Sequence, residues 1–132
     1  VRAQIVNILQ VTPQVYWQKL FFDGEYHRAL YDRLAFPSCA VELLETDAQG
    51  RTRRVLRAVP PLHAPEFIQR QLAGKLFYIE DGTYDPATGL WTFKNEVSVA
   101  SESVKINGVI HTEPCPEGLR HVLNLEAKVN VF

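Results

Sequence analysis

Apolar and polar side chains alternate along much of this chain, the signature of strands with one buried face. The clearest run is Leu119–Val131. There Leu119, Leu123, Leu125, Ala127, Val129 and Val131 share a parity with His121, and Arg120, Asn124, Glu126, Lys128 and Asn130 take the other. Val122 breaks the pattern. Cys39–Glu45 and Thr52–Val59 flank Asp47-Ala48-Gln49-Gly50 and predict a hairpin. Lys75–Tyr84 and Leu90–Val99 predict a second around Asp85–Gly89, and Val104–Thr112 with Leu119–Val131 a third around Glu113–Gly118. Gln4–Val11 is a further apolar strand.

Between the first strand and the first hairpin the period changes. Thr12-Pro13 is a helix start, with Thr as cap and Pro at the first helical position. A short helix is expected through Phe22, carrying Val15, Tyr16 and Leu20. Asp23 caps a second, reaching Leu34, in which Tyr26, Leu30 and Leu34 form one apolar stripe at i, i+4 and i+8. Pro65–Leu72 predicts a third helix, with Gly74 beyond its end. The order β-α-α-β-β-α-β-β-β-β implies an α+β domain, an antiparallel sheet with helices on one face.

At 132 residues the chain has room for one domain. A net charge of −1 lacks the basic excess of a general nucleic-acid binder. No apolar stretch approaches bilayer length, and no signal-peptide core is visible. Two cysteines make no disulfide framework, so Cys39 and Cys115 are expected to be reduced, unpaired and structural, in a cytoplasmic protein.

One strand, two short helices and six antiparallel strands resemble the helix-grip fold of the START-like superfamily, which includes polyketide cyclases and lipid-transfer domains. The chain is similar to a bacterial family of unknown function placed there. The segments that carry the likeness are Val11-Thr12-Pro13, Phe22-Asp23-Gly24-Glu25-Tyr26-His27, Arg57-Ala58-Val59-Pro60, Leu72-Ala73-Gly74 and Leu125-Glu126-Ala127-Lys128-Val129. The resemblance implies a curved sheet enclosing a cavity and a long closing C-terminal helix. Phe132 ends where that helix should begin, so a longer parent chain is expected.

Candidate chemistry is sparse. The four histidines, His27, His63, His111 and His121, show no metal-ligand spacing, and no cofactor motif is present. Parity turns His121 inward and His111 outward; His27 and His63 are expected at the surface. Arg51, Arg53 and Arg57 share one strand face, read as a solvated outer face partly balanced by Glu42 on the neighbouring strand, with an anionic partner as the alternative. Arg54 points inward, where it needs a carboxylate, a carbonyl or a ligand. Trp91, Phe93, Asn95 and Val97 share one strand face, and aromatic rings crowd the helices.

These features, with the resemblance, point to a hydrophobic small molecule or lipid held between sheet and helices, with transient membrane contact and no nucleic acid. The expected lining is Tyr26, Arg54, Leu56, Tyr78, Trp91, Phe93, Asn95, Ile106, Ile110, His121, Leu123 and Leu125. Asn95, Arg54 and His121 would orient the ligand. A cyclase-like enzyme using His121, Tyr78 and Glu80, and an accessory domain binding another protein, are the alternatives.

Overall fold

Seven strands form a single antiparallel curved sheet in the structure, a computed structural model that describes residues 1–99 and 102–130. They are β1 (Arg2–Leu9), β2 (Ser38–Thr46), β3 (Thr52–Val59), β4 (Tyr78–Asp85), β5 (Leu90–Val97), β6 (Val104–Cys115) and β7 (Gly118–Val129). The spatial order is β1-β7-β6-β5-β4-β3-β2. Strands β2 to β7 follow one another as a meander, and β1 joins the far side of β7, from Arg2↔Glu126 to Leu9↔Leu119. Strands β1 and β2 are thus opposite edges, and the segment joining them must cross the sheet.

That crossing segment holds the first helices. Thr12 Oγ1 accepts from the Val15 N–H at 3.2 Å and opens α1 (Pro13–Val15). The helix widens at once into a π-helical turn, Tyr16–Leu20, closed by the Phe21 N–H donating to the Tyr16 carbonyl at 2.8 Å. The wider turn buries both Tyr16 and Trp17 against the sheet. Asp23 Oδ2 then accepts from the Tyr26 N–H at 2.9 Å and starts α2 (Gly24–Arg33). A short α3 (Glu66–Leu72) lies between β3 and β4. Among the described residues no helix is long and apolar enough to cross a membrane.

The α+β architecture matches expectation, and several boundaries move. The last hairpin is tighter than predicted: pairing runs on through Pro114↔Leu119 to Cys115↔Gly118, leaving only Pro116-Glu117 as the turn. Strand β1 starts two residues earlier and ends two earlier than the apolar run suggests. Val131, assigned to the last strand, lies outside the described residues. Val122, the parity exception, is buried on the other face, where Val6 and His111 are its register partners.

Helix α2 is rolled relative to its apolar stripe. Tyr26, Leu30 and Leu34 are 36, 40 and 50% exposed, while His27 is buried, its ring against Tyr31 with centroids 4.4 Å apart. His27 is therefore not a surface residue. The Asp23 cap and the entry from the π-turn fix which side of so short a helix meets the sheet, and they select the i, i+4 pair His27–Tyr31.

The core is aromatic. Tyr16, Trp17, Trp91, Phe93, Ile110 and Leu119 form one buried cluster. Trp17 stacks on Tyr84 at 4.3 Å and donates from Nε1 to Thr112 Oγ1 at 2.9 Å. Trp91 packs edge-on to Phe21 and Phe22. Two strand positions carry no side chain so that these rings can lie flat on the sheet: the Trp91 ring covers Gly82, and the Phe93 ring covers Gly108. On the outer face Arg53 makes a two-pronged contact with Asp81 at 3.0 and 2.9 Å, Arg51 bonds Asp47, and Arg57 lies over the Phe77 ring. Glu42 sits at the bulge between Val41 and Leu43, so Asp81 and Asp47 take the balancing part expected of it.

Candidate functional site

Arg54 is the one arginine of β3 that turns under the helices, and it is 4% exposed. Its register partner on β4 is Gly82, over which the Trp91 ring lies, so the guanidinium meets that ring. Nη1 donates to the Phe21 carbonyl at 2.8 Å, one of the backbone acceptors freed where the π-turn ends. The charge also lies over the rings of Phe21, Trp91 and Phe22, at 4.4, 5.1 and 5.5 Å from their centroids. Such cation–π contacts strengthen when water is excluded.

The counter-ion is loosely placed. Glu80 Oε1 is 3.9 Å from Arg54 Nη2, beyond hydrogen-bond length, and the Glu80 side chain is 12% exposed. Burial raises the Glu80 carboxyl above its ordinary value, against the opposing pull of Arg54 and of the Trp91 indole N–H. The indole N–H is near enough to favour the carboxylate without forming a well-aligned hydrogen bond. Burial likewise lowers Arg54, with Glu80 opposing. The guanidinium remains the cation of the site, since arginine does not give up its proton in proteins. Around this pair burial pushes Tyr31 up to about 12 and Cys39 up to about 11, and raises Tyr78 and Tyr16 as well. All four are neutral at pH 7.

A cavity of about 290 Å³ opens beside Arg54, between the helices and the β1 edge. Asn7, Ile8 and Leu9 of β1 form one wall, Tyr16 and Phe21 the roof, and Tyr26, His27, Leu30 and Tyr31 of α2 the other wall; Arg54 and His121 come up from the sheet. Three buried polar atoms of these residues have no hydrogen-bond partner: Arg54 Nε, His27 Nε2 and His121 Nδ1. Burial, then Arg54, holds His27 down at about 4, and burial, then His111, lowers His121. Both rings are neutral at pH 7, each with one donor and one acceptor nitrogen.

Of the twelve residues predicted to line a ligand, Tyr26, Arg54 and His121 meet at this cavity. Leu56, Trp91, Phe93 and Ile110 are buried in the interior, and Leu123 and Leu125 pack against it partly buried. Tyr78 sits with Tyr31 and Cys39. Asn95 and Ile106 line a different cavity of about 370 Å³ beside Lys94, Glu96 and Lys105. The Trp91 and Phe93 rings lie on Gly82 and Gly108 and border neither of these cavities. Of His121, Tyr78 and Glu80, the acid–base types weighed for an enzyme, only His121 lines the helix-side cavity.

Sequence reasoning missed His27 and the β1 wall; Tyr16 and Tyr31 were among the aromatic rings expected to crowd the helices. The i, i+4 spacing of His27 and Tyr31 was the available signal. A cleft of about 840 Å³ beside the hairpin turns is larger, and so is a groove of about 570 Å³ along β1, β7 and β6, but none of the unpartnered buried atoms lines either. Among the described residues no three His, Cys, Asp or Glu side chains converge as metal ligands would.

A curved antiparallel sheet holding short helices on one face defines a helix-grip type of α+β domain. The chain belongs to the family described as "protein of unknown function (DUF2505)", whose model matches residues 11–132. No curated protein matches it. Solved structures that match it include the crystal structure of TTHA0849 from Thermus thermophilus. That protein is 20% identical, with a TM-score of 0.58 over 99% of this chain and 75% of the other, a likeness of fold alone.

Proposed function

We propose that this chain binds a hydrophobic small molecule or lipid in the cavity between α2, the π-turn and β1. The observation that carries this reading is a largely apolar and aromatic cavity of about 290 Å³ that is bordered by three polar residues, Arg54, His27 and His121. Ligand sites are typically apolar hollows with a few placed polar groups, from roughly 300 Å³ upward, and about 290 Å³ lies at the small end of that range. Ile8, Leu9, Phe21 and Leu30 offer the apolar contact; affinity comes from surface removed from water, about 25 cal/mol per Å² before the costs of association.

Native mass spectrometry of protein purified from cells, followed by organic extraction, tests this directly. A bound small molecule that extraction releases is the expected result. A second readout is tryptophan emission in a Trp17→Phe variant, because Phe21 touches both the cavity and Trp91. An empty protein whose emission ignores short and medium-chain amphiphiles up to millimolar concentration counts against binding.

A further inference from the structure

We infer that Asn95 is the acceptor for the proton of Glu80: when the carboxyl takes up a proton, its O–H donates to Asn95 Oδ1, and the pair is an acid-responsive contact built into the middle of the sheet.

The register brings the two residues together. Glu80 of β4 and Asn95 of β5 are direct cross-strand partners. Both point inward: Glu80 stands beside the fully buried Leu56 of β3, and Asn95 shares the strand face of Trp91 and Phe93. Side chains directly opposite in an antiparallel pair start about 5 Å apart at Cβ, a gap that the length of a glutamate spans. Asn95 Oδ1 is a buried acceptor with no donor among the described residues. Trp91 Nε1 is a buried donor with the opposite lack, and it lies near the Glu80 carboxyl.

Buried polar groups are almost always paired, and the charge state of Glu80 decides which of these are. An ionised carboxylate only accepts, so it serves Trp91 and Arg54 and leaves Asn95 Oδ1 bare. A protonated carboxyl both accepts and donates, so it serves Trp91 and Asn95 together. Arg54 Nη2, at 3.9 Å from Glu80 Oε1, opposes protonation without holding the carboxyl by a hydrogen bond.

The other titratable groups that act on Glu80 are Tyr31 of α2, Cys39 of β2 and Tyr78 of β4. Burial raises all three, so they stay neutral across the carboxyl range. Burial also raises Glu80 itself, and a hydrogen bond made only by the neutral form acts in the same direction. Arg54 donates to the Phe21 carbonyl where the π-turn ends. Proton uptake by Glu80 therefore leaves that turn tied to a cation without its counter-ion.

Side-chain carbon nuclear magnetic resonance of the unmodified protein, titrated from about pH 8 to about pH 4.5, follows Glu80 Cδ and Asn95 Cγ separately. Glu80 is expected to take up its proton above about 4.3, the ordinary glutamate value. Asn95 Cγ should move with the same midpoint, while Asn124 Cγ, whose Oδ1 already accepts from Gln4, does not follow it. In Asn95→Leu the Glu80 midpoint should fall by at least about one pH unit, a tenfold loss of proton affinity and the scale of one buried hydrogen bond. An Asn95 signal that ignores the Glu80 titration overturns the inference, and so does a Glu80 still ionised at about pH 4.5. An unchanged or higher midpoint in Asn95→Leu overturns it as well, because the amide would then stand apart from the carboxyl or donate to its ionised form. If that variant does not fold, the titration of the unmodified protein decides.

Discussion

Replacing Gly82 with alanine adds one methyl group at a place where the Trp91 ring already lies on the backbone. A Cβ built there falls closer to three ring atoms of Trp91 than real Cβ atoms come to their neighbours. The obstacle is a rigid indole that is itself fully buried against Phe21 and Phe22, so it has no free direction in which to yield. Overpacking of this kind costs about 1–3 kcal/mol. For a domain of this size that corresponds to a fall in Tm of about 4–12 °C. The control is the same substitution beside Trp91→Ala. That variant alone should lose about 3–5 kcal/mol, but with the ring gone Gly82→Ala becomes favourable by about 0.5–1 kcal/mol, as alanine normally is over glycine within a strand. The two changes should therefore couple by about 1.5–4 kcal/mol, a large value for a directly contacting pair. Chemical denaturation of the four proteins measures it. Additive effects within experimental error would refute the placement of Trp91 on Gly82.

Removing Arg54 alone, as Arg54→Met, leaves Glu80 buried without its cation and should cost about 3–5 kcal/mol; adding Glu80→Leu should restore most of that loss in urea titrations. His27 contributes to a pH dependence of opposite sense to that of Glu80. Its folded value of about 4 lies below the ordinary 6.5, so its contribution is full above pH 6.5 and is lost as the pH falls towards 4. The fall in Tm between pH 7 and pH 4.5 should thus be smaller in His27→Gln than in the parent, and an unchanged fall would show that His27 does not titrate this way. Glu80, raised by burial, loses stability as the pH rises above the ordinary carboxyl value, and its substitution should change the slope in the other direction. Cys39, with its thiol at about 11, should react with iodoacetamide at pH 8 far more slowly in the folded protein than after denaturation. Labelling of both Cys39 and Cys115 in denaturant without reductant, read by intact mass, checks that the two are free.

The sheet was legible because its information is local. Alternation and turn residues such as Asp47-Ala48-Gln49-Gly50 mark each hairpin, and hairpins dictate their own pairing. The inward turn of Arg54, and its need for a carbonyl, a carboxylate or a ligand, also followed from parity, since Thr52, Leu56 and Ala58 share its face; the Phe21 carbonyl accepts one of its hydrogen bonds and Glu80 stands 3.9 Å away. The helix orientation was not legible. Apolar periodicity favoured Tyr26, Leu30 and Leu34, whereas the choice between faces is made by how the π-turn delivers the chain into α2. That geometry depends on Tyr16 and Trp17 seating on the sheet, a tertiary event with no local signal. The seating of the core rings was hidden for a similar reason. Nothing near Gly82 or Gly108 in sequence announces that a ring from a neighbouring strand will occupy each gap.

The pairing of β1 with β7 sets an order of events for a chain made from its N-terminus. Strand β1 is completed by β7, made well over a hundred residues later, with Ile5 waiting for Leu123. At roughly 5–20 residues per second on the ribosome, β1 spends several seconds with an unmatched backbone edge, and so does the aromatic π-turn that follows it. Closing so long a loop makes formation of the full sheet slow compared with its hairpins. The polar side chains of Arg2, Gln4 and Asn7, spaced through β1, interrupt an otherwise aliphatic edge that is open to other chains during synthesis and keeps one open side in the finished sheet.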